Sequence, residues 1–184
     1  MRIYLAGPEV FHREAEAIGR AKAALCADHG HEGLFPLDAD VPGAGLAAHA
    51  HGLAIYRADI AMMDRAEAII ANLTPFRGPH ADPGTAFELG YMRAQGKPCL
   101  AYSCRPGLLA DRLEGGESNA GERDADGLAI ERFDMADNLM LEGAVHDSDG
   151  GGIETPPDGG DGDPYWDFRA FEACLRRLSA LSGG

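Results

Sequence analysis

Cysteine is scarce in this chain and never closely paired. The four cysteines, Cys26, Cys99, Cys104 and Cys174, form no C-x-x-C unit among 184 residues. That excludes a disulfide framework or zinc ribbon read from spacing, and it suits a reduced, cytoplasmic protein. Basic residues are also short, 16 against 30 acidic ones, for a formal net charge of −14. A field of that sign repels phosphate backbones, so neither nucleic acid nor an acidic membrane is an expected partner. No apolar run has the length of a membrane span, and the chain opens directly on the strand-like RIYLAG rather than a basic-then-apolar leader. The histidine pairs His29/His31 and His49/His51 are not part of an HExxH pattern, so no metal is expected.

What remains is globular composition, 45% hydrophobic and 25% charged, in a length suited to one domain over residues 1–184. Strand and helix patterns alternate along it. Residues 2–7 read as a buried strand ending at Gly7-Pro8, and 13–29 as a helix rich in Ala, Glu, Lys and Arg. EGLFPLD (32–38) reads as a short strand broken by Pro36. Residues 46–57 read as helical, with Asp59 capping a separate short helix over 60–65. AEAIIANL (66–73) is a third strand, 83–95 a helix stopped by Gly96, and KPCLAY (97–102) a fourth strand. Two polar, glycine-rich stretches, 114–127 and 147–164, read as flexible loops. Between them 128–145 regains apolar periodicity, a fifth strand is expected between 139 and 155, and 165–181 closes as an amphipathic helix. Such alternation predicts an α/β fold, a parallel sheet of four to five strands covered on both faces.

In sheets of this kind ligands bind beyond the carboxyl ends of the strands. Gly7, Pro8 and Glu9 follow the first strand there, and Asn72 to Asp82 follow the third. Asp82-Pro83 has an ordinary explanation, an N-cap followed by proline at the first helical position. DPGTAFELGYM (82–92) raises a harder question. After Asp82, Glu88 is its single charge, roughly 9 Å farther along the helix and about 240° around it. A solvated surface would explain it, but so would a reagent facing a ligand. Two other signals are weak. GAGLAA (43–48) matches a dinucleotide loop without the strand that should precede it. GKPCLAY suits a phosphate-accepting receiver, but Asn72 stands where that chemistry needs an aspartate.

IYLAGP (3–8), ADIAMMDRAEAIIANLTPFRGP (58–79), DPGTAFELG (82–90) and ADNLML (136–141) occur in this order, and together they resemble the nucleoside 2-deoxyribosyltransferase family. Pro83 departs from the aliphatic residue common there. The resemblance implies a flavodoxin-like three-layer sandwich and exchange of the purine or pyrimidine base of 2′-deoxynucleosides, with no cofactor. By motif position it makes Glu88 the nucleophile, Asp59 the acid facing the base, and Tyr4 the residue that holds the nucleophile. It assigns Asp82 to a sugar hydroxyl, and Asn138 to the sugar 5′ end of a neighbouring subunit, with Met140 helping to close the pocket. Gly7, Pro8 and Asn72 would supply walls and backbone donors. The implied partners are 2′-deoxynucleosides, free nucleobases and further copies of the chain in a homo-oligomer. Glu9 at the strand-one loop, with Arg77 the one nearby cation, favours unphosphorylated nucleosides. Hydrolysis of a nucleoside or nucleotide N-glycoside, and a nucleoside-binding module without catalysis, are the competing readings.

Overall fold

In the computed structural model of the chain, residues 1–39, 41, 45–113, 123–124, 126–148, 150–158 and 162–182 are described. Alternation along the first strand decides the layering. In β1 (Arg2–Ala6), Ile3 and Leu5 join one apolar cluster and Tyr4 and Ala6 the other, as the two-residue strand period requires. β3 (Ala68–Asn72) and β4 (Cys99–Tyr102) are buried along their whole length, as parallel strands covered on both faces are. The shorter β2 (Glu32–Leu34) and β5 (Ile153–Glu154) form the edges. All pairs are parallel, in the order β2-β1-β3-β4-β5. That is the flavodoxin-like order, whose ligand crevice opens where the winding reverses, between β1 and β3.

Helices cover both faces. α1 (Ala15–Asp28) and α6 (Arg169–Ser182) lie on the Ile3/Leu5 side, where Cys26, Ile70, Leu100, Phe171, Leu175 and Leu178 make the core. α2 (Ala48–Arg65), α3 (Pro83–Ala94) and α5 (Leu139–His146) lie on the Tyr4 side, with Met62, Met63, Ile69, Leu89, Met92 and Val145. The short α4 (Leu109–Leu113) follows β4.

The sheet agrees with the sequence expectation, and several boundaries do not. Asp59 caps no separate helix: α2 runs unbroken through it. Neither Gly nor Pro interrupts residues 53–65, and an interior aspartate costs only roughly half a kcal/mol of helix propensity, too little to end a helix. The second strand stops at Leu34, and Pro36–Asp38 turn as a 3-10 segment because proline lacks the N–H a ladder needs. The apolar stretch 128–145 becomes helical only from Leu139, where the Asn138 side chain caps the first turn. The fifth strand is two residues long, near the end of the interval expected for it. Residues 114–122 and 125 of one expected loop, Asp149 and 159–161 of the other, and Gly43-Ala44 of the GAGLAA match lie outside the described residues. No described helix is long and apolar enough to cross a membrane.

Candidate active site

The helix carrying Glu88 is anchored at its start. Asp82 caps α3, its Oδ2 accepting from the Thr85 N–H at 2.9 Å and the Thr85 hydroxyl at 3.2 Å. Pro83 occupies the first turn, where a missing N–H costs nothing. Thr85, Leu89 and Met92 then face the sheet. Gly84, Phe87 and Glu88 fall on the adjoining stripe and line a groove. Met92, one turn on from Glu88, is fully buried in the core.

Across the groove α2 supplies Gly52, Ile55, Tyr56, Asp59 and Met63, spaced by three and four residues and therefore on one face. Its C-terminal end joins β3 directly, so Asp59, six residues before Arg65, stands roughly 9 Å back along the helix. This placement, not a helix start, brings Asp59 to the rim. The groove has two adjoining lobes of about 430 and 320 Å³, both lined by Ile55, Asp59, Gly84 and Glu88. The second also touches Gly7, Phe11, Leu37, Asp82 and Thr85. Volumes of this size suit a small organic ligand.

Tyr4 rises from β1 beneath the groove. Its hydroxyl donates to Glu88 Oε1 at 2.7 Å, joining the strand to the helix. Burial raises the Glu88 carboxyl to about 7. The Tyr4 hydrogen bond works against that rise, while the negative charges of Asp59, Asp82 and Glu9 add to it. Burial alone lifts Asp59 to about 6. Tyr4 is pushed well above the usual phenol range by burial and by the Glu88 carboxylate, so it remains a donor. Two carboxyls titrating near neutrality in one groove can share the work of nucleophile and proton donor.

Other sequence candidates sit elsewhere. Gly7 lines the groove, whereas Pro8 is buried in the 3-10 turn Pro8–Phe11. Asn72 is fully buried and turned inward: its amide donates to Glu9 Oε1 at 2.8 Å, and its oxygen accepts from the Thr74 N–H at 2.9 Å. It braces the strand ends and contributes no wall, because the buried Glu9 carboxylate claims its side chain. Asn138 and Met140 do not line this groove in their own chain. Asn138 caps α5 through the Met140 N–H at 3.0 Å, and Met140 is 72% exposed.

Glu9 is the largest surprise. Expected at the rim, it is 1% exposed and paired with Lys22 Nζ at 2.7 Å. Lys22 is wholly buried, its ammonium 5.3 Å from the Tyr102 ring centre and 5.0 Å from that of Phe171. A signal for it exists: Ala15, Ile18, Gly19, Lys22 and Cys26 form the buried stripe of α1, so Lys22 occupies a core position by spacing. The aromatic walls Tyr56 and Phe87 and the stacked pair Phe11–Phe76, 5.2 Å apart under the Arg77 guanidinium, carried no comparable pattern. Asp137 likewise emerges only in three dimensions. It accepts from the Ala81 N–H at 3.0 Å and the Asn138 N–H at 2.8 Å, while Arg112, beside it at 3.5 Å, donates to the Pro79 carbonyl. The pair ties the segment before Asp82 to the start of α5. Among the described residues no three His, Cys, Asp or Glu side chains are grouped to hold a metal ion.

The sequence model described as nucleoside 2-deoxyribosyltransferase matches residues 3–140. A solved 2-desoxiribosyltransferase from Leishmania mexicana superposes with a TM-score of 0.66 at 33% identity, covering 95% of this chain and 97% of the other. A 2-deoxyribosyltransferase from Bacillus psychrosaccharolyticus shares the fold, with a TM-score of 0.51 at 19% identity over 86% of this chain and 88% of its own. An uncharacterised protein of Schizosaccharomyces pombe is 35% identical over 165 residues, 80% of this chain and 78% of the relative.

Proposed function

Since the chain belongs to the nucleoside 2-deoxyribosyltransferase family, we propose that its Glu88 groove exchanges the purine or pyrimidine base of 2′-deoxynucleosides by a retaining double displacement. Tyr4 occupies Glu88 Oε1, so the attack falls to Oε2. Oε2 bonds to C1′ as the C1′–N bond breaks, and the departing base takes a proton from Asp59. The incoming base then attacks C1′, returns its proton to Asp59, and releases Glu88 from the ester. Each step leaves the carboxyl pair holding one proton in total or none, so the second half restores the starting enzyme. A deoxysugar lacks the 2-hydroxyl that would destabilise the oxocarbenium-like transition state, which reduces what the protein must supply.

The observation that carries this reading is the 2.7 Å Tyr4–Glu88 hydrogen bond in a groove that Asp59 shares. Asp82, at the head of the same helix, is the sugar-hydroxyl contact. The acidity of the groove favours unphosphorylated nucleosides. Asn138, which does not line the groove of its own chain and lies beside the exposed Met140, suits donation to a second copy, in a homo-oligomer with shared sites. Four free, buried cysteines suit a reducing cytoplasm.

Incubation with deoxyinosine and free adenine tests the reaction. Deoxyadenosine appearing by chromatography supports transfer. Hypoxanthine without a new nucleoside would make the protein a hydrolase, and tight binding without turnover would make it a binding module.

A further inference from the structure

A sugar ester on Glu88 has two fates, because water attacks C1′ as well as a base does. Retention requires the second nucleophile to enter from the side the first base left, which is the side of Asp59. The walls beside that entrance therefore bear on whether the sugar is transferred or hydrolysed.

The larger lobe of the groove is lined by both carboxyls, and apart from them and the Tyr56 hydroxyl its side chains are apolar. Tyr56 stands three residues before Asp59 on α2, and Phe87 stands next to Glu88 on α3. Their rings meet across the groove, with centroids 6.3 Å apart and planes tilted by 55°. That is ordinary aromatic contact, which leaves no room for a base between them, so the pair is a bridge and not a slot. Both rings are about half exposed, at 51% and 49%, as a wall between solvent and groove would be. The bridge is braced from behind. Tyr91 stacks on Phe87 at 6.1 Å, and its hydroxyl donates to Asp64 Oδ1 at 2.8 Å, back on α2.

We propose that the Tyr56–Phe87 bridge shields the Glu88 ester from water and so directs the enzyme to base transfer in place of hydrolysis. The proposal rests on the base-exchange reading of the same groove. Ile55, Met63 and Phe87 give a water molecule nothing to bond, whereas a flat base gains by covering them. Closure of this kind protects reactive intermediates from hydrolysis. In the reaction it suppresses, the water oxygen bonds to C1′ as the bond from C1′ to Glu88 Oε2 breaks. The water gives its proton to the Asp59 carboxylate, and 2-deoxyribose leaves.

Two rates test this. Hydrolysis is the release of free deoxyribose from deoxyinosine without acceptor, with the liberated hypoxanthine removed by xanthine oxidase so that it does not return. Transfer is the formation of deoxyadenosine at saturating adenine. Their ratio belongs to each active molecule, so a loss of folded protein does not move it. Phe87→Ala should raise the ratio of hydrolysis to transfer roughly tenfold or more, through faster release of deoxyribose. Tyr56→Ala, on the opposite helix, should raise it in the same way, and Tyr56→Phe, which keeps the ring, far less. An unchanged ratio in both alanine variants overturns the proposal, as does a ratio raised only because transfer slows. A rise in Tyr56→Phe equal to that in Tyr56→Ala would credit the hydroxyl and overturn it too. Exchange by the wild type with the ratio unmoved in the variants leaves the reaction standing without the bridge. A wild type that releases deoxyribose as fast as it transfers it, or that shows no exchange, removes both.

Discussion

Tyr4 and Glu88 meet across 84 residues of sequence, with the strand's phenol donating to the helix's carboxylate at 2.7 Å. The contact does two things at once. It fixes the carboxylate beneath the groove, and it favours the ionised form that burial opposes.

Tyr4→Phe removes both effects. Without the donor the Glu88 carboxyl moves further up, so less of it is ionised at any pH below neutrality. The expected result is a loss of roughly tenfold or more in kcat/KM near pH 6, with the acidic limb of the profile shifted to higher pH. A variant slowed equally at every pH would show that the hydroxyl acts by position alone.

The carboxyl pair sets a pH window. Attack needs Glu88 ionised, which is lost as pH falls below about 7, and base departure needs Asp59 protonated, which is lost as pH rises above about 6. The kcat/KM profile should therefore be a narrow bell centred between these values, its two apparent constants belonging to the pair. Asp59→Asn should cost roughly 10²-fold or more and remove the alkaline limb, because an amide donates a hydrogen bond but does not give up its proton. An alkaline limb that survives in Asp59→Asn would assign that proton to another group.

The fold bears a cost for holding Glu88. Its folded value, about 7, stands above the ordinary 4.5, so the native state binds the proton more tightly than the unfolded chain. The favourable contribution is complete below about pH 4.5 and disappears as pH rises to about 7. Glu88→Gln should then be more stable than wild type at pH 8, by about 2 kcal/mol after allowance for water in the groove, and no more stable at pH 4. Thermal unfolding at the two pH values measures this.

Most of the sheet was legible in the sequence. RIYLA, AIIAN and CLAY carry the continuous apolar character of strands buried on both faces, and the helices between them are long enough to show their period. The Glu88 motif was legible for the same reason, a charge out of keeping with its stripe. What escaped was set by contacts distant in sequence. Glu9 looks like a rim acid until Lys22, 13 residues on, is seen to face it, and Asn72 looks like a wall until Glu9 is seen to claim its amide. Asp59 looks like a helix cap until α2 is seen to run through it, and its spacing from the end of α2 sets its height above the sheet.

The buried pair yields a stability test. Lys22→Met alone leaves the Glu9 anion without its counter-ion and should cost roughly 3–5 kcal/mol in denaturant unfolding. Glu9→Gln added to it should recover most of that loss, since an apolar and an amide side chain of similar size carry no unpaired charge. Purely additive losses would mean that the two side chains are not coupled.

The covalent step is the most direct test of the mechanism. Wild-type protein is mixed with a 2′-deoxynucleoside in the absence of acceptor base, quenched in acid, digested, and read by mass spectrometry. The peptide containing Glu88 should gain the mass of one 2-deoxyribosyl group, and the gain should vanish when an acceptor base is added before the quench. Steady base exchange with no adduct on Glu88, or with the sugar on a different residue, would contradict the mechanism.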